Sequence, residues 1–124
     1  MTIISSQAIA QYRSQLAPYP VALLSLDTIE DCEGDLADAA LSLGIQVGQQ
    51  PDRQDWLEGL AKRCRAVLCA EEFETELKAG NVTGVVGRLL AAPPCDPLLV
   101  TPVVLYVLTL GVQKFCEPMH FKIR

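Results

Sequence analysis

Residues 101–116 read TPVVLYVLTLGVQKFC, and the fold turns on how this stretch is read. It belongs to the longest apolar run in the chain, LLVTPVVLYVLTLGV at 98–112, which carries no charge. A membrane-spanning helix needs about 20 apolar residues. The run is shorter and contains Pro102. Being apolar on nearly every face, it reads as a helix enclosed by other elements. Thr101 offers a capping hydroxyl, and Pro102 suits a first helical turn, where its missing N–H is not needed. The β-branched residues leave a strand as the alternative.

Working outward, the punctuation is that of short helices. SSQAIAQYRSQL at 5–16 begins with serines able to cap and places Ile9, Tyr12 and Leu16 on one face. PYP at 18–20 ends that helix, and Pro20 can open the next, which carries Leu23, Leu26 and Ile29 and stops near Gly34. Asp35 can cap LADAALSL, whose expected end is Gly44, before a loop at 45–51. Asp52 opens an expected helix over about 53–69, with Trp56, Leu57, Leu60, Cys64, Val67 and Leu68 as its stripe. Asp52, Asp55 and Glu58 lie early in it and Lys62, Arg63 and Arg65 late, as the helix dipole favours. AEEFETELKAG forms a further short helix ending at Gly80. Thr83 is expected to cap VVGRLLAA, which Pro93 and Pro94 terminate. The fold class is therefore all-α: one domain over 1–124, six or seven short helices around a buried C-terminal apolar helix, with 117–124 as an exposed tail.

The 124 residues suit a single domain and can bury roughly two-thirds of the unfolded surface without a metal or disulfide. A hydrophobic content of 50% against 20% charged excludes a largely disordered chain. The net charge of −5 repels phosphate backbones and anionic lipid, so nucleic acid and membrane are not the expected partners. MTIISSQAIAQYRSQ lacks the basic segment and apolar core of a secretion signal, and the expected compartment is the cytoplasm. Five cysteines, at 32, 64, 69, 95 and 116, are odd in number and irregular in spacing. In a reducing compartment they are expected as free thiols behaving like small apolar residues.

EDCEGDLADAALSLG, at 30–44, concentrates the acids Glu30, Asp31, Glu33, Asp35 and Asp38 where two helices should meet. A calcium loop with Gly34 at its sixth position would put Ile29 first and Ala40 last, where oxygen ligands are needed. Residues Gly34, Asp35, Ala39, Ala40, Leu43, Gly44 and Ile45 resemble the first helix and turn of Fis-type helix-turn-helix domains over about a tenth of the chain. That resemblance implies DNA binding through a following basic helix. Here VGQQPDRQD follows, with Gly48, Pro51 and acids in that place. The same stretch is similar in its packing to ubiquitin-associated three-helix modules. Read from the residues, the acids form a solvated, partner-facing surface, and Ala39, Ala40 and Leu43 form the side that packs.

No phosphate loop, dinucleotide fingerprint, HExxH or GxSxG occurs. Cys64, Cys69, Cys116 and His120 are the only set with the shape of a metal site, but Cys64 and Cys69 on one helix point about 140° apart. Arg63 and Arg65 could activate Cys64 as a nucleophile, were it not placed in the apolar stripe. Glu71 and Glu74 read as helical neighbours on a solvated face. KRCR gives one anion-contact candidate, Lys62, Arg63 and Arg65. The expectation is a non-enzymatic interaction or assembly module without cofactor, met by a protein partner or by self-association. A nucleic-acid-linked regulator with a degenerate helix-turn-helix corner at 34–45 is the alternative.

Overall fold

The computed structural model describes residues 3–49 and 56–122, the last three by backbone alone. Among them every element except one isolated bridge, Ile3 with Asp35, is helical. The protein is all-α. In chain order the helices are α1 (Ser6–Gln15), α2 (Pro20–Asp31), α3 (Leu36–Gln46), α4 (Trp56–Arg63), α5 (Arg65–Leu68), α6 (Glu71–Lys78), α7 (Thr83–Ala91), α8 (Pro97–Leu110) and α9 (Val112–Lys122). Asp52 and Asp55, expected at the start of the fourth helix, lie outside the described residues.

The apolar run divides at Gly111. Its φ of +109° is left-handed space that a glycine enters freely, and α8 and α9 meet there at 97°. The enclosed helix is thus the eighth and not the last. Leu99, Val100, Val103, Val104, Leu105 and Val107 of α8 are buried, and α2, α3, α4, α7 and α9 pack around it. Residues 117–122, expected as a tail, continue α9. No single helix among the described residues is long and apolar enough to cross a membrane.

The start of α8 also corrects the expectation at Thr101 and Pro102. Asp96 is the cap, its carboxylate accepting from the Leu98 N–H at 3.0 Å, and Pro97 takes the first turn. Pro102 lies inside the helix, where it can give no N–H to the Leu98 carbonyl and its ring crowds that oxygen. The buried Ser25 hydroxyl of α2 donates to the Leu98 carbonyl instead, at 2.6 Å.

Elsewhere the ends shift for local reasons. The long helix expected at 53–69 breaks at Cys64, whose N–H takes the Ala61 carbonyl at 3.0 Å in a tighter turn. α3 runs past Gly44 to Gln46, and the Gln49 N–H closes back on the Gly44 carbonyl at 2.8 Å. Gly44 is small for another reason: a Cβ there would meet the Trp56 ring at 2.5 Å. Thr83 does not cap α7; its hydroxyl donates to the Gln15 carbonyl, while the Gln15 side chain accepts from Val82 N–H and donates to the Gly80 carbonyl. Gln15 so ties the α6–α7 turn to α1.

Candidate interaction face and cysteine pairs

The corner at 30–36 is closed by backbone geometry. α2 ends with Glu33 at φ +56° and Gly34 at φ +85°, and the Gly34 N–H returns to the Ile29 carbonyl at 2.8 Å. Ile4 crosses beside it, donating its N–H to the Gly34 carbonyl at 2.8 Å. A side chain at Gly34 would collide with the Ile4 carbonyl. Asp35 caps α3, its carboxylate accepting from the Asp38 N–H at 3.1 Å.

The acids expected at this corner therefore have different duties. Glu30 accepts from the Arg13 guanidinium at 2.9 Å, and Arg13 also reaches Asp27 at 2.7 Å. The hydrogen bond to Asp27 is the main cause holding the Arg13 charge above its ordinary range. Asp35 is half-buried at its cap. Asp31, Glu33 and Asp38 remain exposed. The Cys32 thiol is pushed up by burial first and then by the charges of Asp38, Asp31 and Asp35.

α3 buries Leu36, Ala39, Ala40, Leu43 and Gly44. At about 100° per residue, Ile45 then lies on the side opposite Leu36, with Asp38 and Leu41 close to it. Ile45 is 68% exposed and Leu41, four residues before it, 37%. The outward face of α3 thus carries an apolar pair beside an acid. The helical wheel of this segment contains that pair, although its acids and alanines are the louder signal.

The basic cluster is dispersed. Lys62 pairs with Glu58 at 3.6 Å. Arg65 turns inward, its guanidinium 4.5 Å from the centre of the Phe115 ring, with its Nε buried and unpaired. Arg63 is exposed, and its charge favours the thiolate of Cys64.

The cysteines contradict the expectation of five free thiols. Cys69 and Cys116 form a disulfide, with Cα atoms 5.6 Å apart across a sequence separation of 47. Cys32, Cys64 and Cys95 are free. Glu74, on α6, brings a carboxylate oxygen within 4.8 Å of both bonded sulfurs, and Lys78 pairs with it at 3.4 Å. Of the four residues weighed as a metal set, the structure joins Cys69 and Cys116 as a disulfide, whose sulfurs are not the thiolates that bind zinc. Cys64 lies buried at the α4–α5 break and Cys95 half-buried between α7 and α8, both as free thiols. The disulfide has no signature in the spacing, because it joins distant segments.

A cleft of about 410 Å³ lies between α1, α6, α8 and α9 with Leu77, Leu108 and Val112 among its walls. Its polar rim is Tyr12, Lys78 and Gln113, which do not make a nucleophile–base pair. Comparison with protein-family models, with curated proteins and with solved structures finds no match to this chain.

Proposed function

We propose that this chain is a non-enzymatic interaction module that docks a protein partner on the outward face of α3 and the acidic corner before it. The observation that carries the reading is the exposed i, i+4 pair Leu41 and Ile45 on the side of α3 opposite its buried stripe. Single exposed apolar residues are ordinary on a protein surface. Two aligned on one helix face, on the same side as Asp38, match the apolar centre and charged rim of a small interface. Burying an isoleucine side chain is worth about 1.5–3 kcal/mol, so covering Ile45 is a usable driving force. The acids select the partner: an apolar anchor flanked by Lys or Arg. A second copy of a chain with net charge −5 would bring like charges together at this face, which favours a different protein.

The test compares Ile45→Glu with the wild type as bait against extract from the native host. A captured species that falls about tenfold or more with Ile45→Glu, while thermal unfolding stays unchanged, supports the assignment. Equal capture by both baits excludes this face as the docking surface.

A further inference from the structure

The disulfide between Cys69 and Cys116 has a third neighbour, and none of the three has a part in the docking face. Cys69 ends α5, Cys116 lies one turn into α9, and Glu74 stands on α6. Each of these helices packs against the other two, so the three residues are brought together by a closed set of contacts. A carboxylate oxygen of Glu74 and the two sulfurs all lie within 4.8 Å of one another. Cys116 is fully buried, Cys69 half-buried, and the Glu74 side chain only 12% exposed. A disulfide has no proton to give a carboxylate, so the sulfurs do not explain why Glu74 turns toward them. The same sulfurs as thiolates, with the carboxylate, are a donor set for a cation.

We infer that Cys69, Cys116 and Glu74 bind one zinc ion when the disulfide is reduced, so that the bond and the metal are alternative occupants of one place. Zinc bonds sulfur at about 2.3 Å and carboxylate oxygen at about 2.0–2.2 Å, so the ligand atoms of a tetrahedral site stand about 3.5–3.8 Å apart. The observed cluster needs only the two sulfurs to separate, and their Cα atoms already stand 5.6 Å apart on different helices. Three protein ligands leave the fourth position to water. Two thiolates and a carboxylate carry three negative charges against the two positive charges of zinc. Lys78, 3.4 Å from Glu74, is placed to balance the remainder.

Reduction begins at Cys69, the less buried of the two. One thiolate of a dithiol reductant attacks the Cys69 sulfur, and Cys116 leaves and takes a proton. The second thiol of the reductant then attacks the reductant sulfur of the mixed bond and closes the reductant's own disulfide. Cys69 is released with the second proton. One S–S bond is exchanged for another, and the protein gains two S–H groups. Zinc then displaces both protons to bind the thiolates.

The test reduces the intact protein with a phosphine, which does not chelate zinc as a dithiol does. The reagent is removed without air, zinc is added, and bound metal is measured after desalting. The expected result is about one zinc per chain after reduction and almost none while the disulfide is in place. Bound zinc should slow alkylation of Cys69 in the native protein and leave that of Cys32 unchanged. Cys116→Ser should abolish binding, and Cys32→Ser and Cys95→Ser should keep it. Glu74→Gln should weaken binding by at least about tenfold, a loss usual even for residues one step removed from a metal. Reduced protein that takes up no zinc overturns the inference. So does equal uptake with the disulfide intact, full affinity in Glu74→Gln, or bound zinc that leaves Cys69 alkylating as before. The alkylation arm uses the wild type and decides the matter even if a variant folds poorly.

Discussion

The Ser25 hydroxyl sits 2.6 Å from the Leu98 carbonyl, the oxygen that Pro102 leaves without its helical donor. The two helices at the centre of the fold are thereby matched in their chemistry as well as in shape. A buried carbonyl stripped of its partner costs about 1–3 kcal/mol. Ser25→Ala should lower unfolding free energy by that amount in urea titrations. Adding Pro102→Ala restores an N–H four residues after Leu98, so the double variant should lose less than Ser25→Ala alone. Strict additivity of the two changes would show that the hydroxyl does not substitute for the missing donor.

The Cys69–Cys116 bond closes a long loop, with 47 residues of separation. On the chain-entropy account a loop of this size contributes about 4 kcal/mol, and measured values cluster at about 2–4 kcal/mol. Cys116→Ser, which also leaves a hydroxyl in a fully buried position, should reduce stability by at least the lower figure. Denaturant midpoints with and without reductant measure the same quantity in the wild type.

Gly44→Ala tests the packing of α3 on α4. Within a helix, alanine normally gains about 1 kcal/mol over glycine. Here the added methyl meets the Trp56 ring, and overpacking of this kind costs about 1–3 kcal/mol. The net effect should be destabilising. Trp56 is the only tryptophan, so its fluorescence should shift to the red as the ring is displaced. An unchanged spectrum with a gain in stability would contradict the packing.

Cys32 should alkylate slowly. Burial and the charges of Asp38, Asp31 and Asp35 raise its thiol above the ordinary range, so at a given pH less of it is thiolate. Asp38→Asn should accelerate iodoacetamide labelling of the native protein, and added salt should act in the same direction by screening the acids. A rate equal to that of a small-molecule thiol would show that the corner exerts no such field.

The helices that cap themselves locally were legible in the sequence. Ser5, Pro20 and Asp35 each act as their position implies, because a cap involves residues only three or four apart. The readings that changed all depend on what arrives from elsewhere in the chain. Thr101–Pro102 looked like a helix start, since the alternative requires Ser25 from α2 to answer for Leu98. Gly44 looked like a helix end, since its smallness serves Trp56 across the corner. Cys69 and Cys116 meet only because α8 and α9 bend at Gly111 and bring α9 against α5. In the candidate face the acids stood out by composition, whereas Leu41 and Ile45 became visible as a pair once α3 was known to continue past Gly44.

The bond between Cys69 and Cys116 makes everything from α6 through α8 part of a closed ring. A protease that cuts once in the exposed stretch at Ala92–Pro94 would leave a single molecule of unchanged mass apart from one added water. Its two pieces would separate on a denaturing gel only after reduction. Nicking would therefore be silent under oxidising conditions.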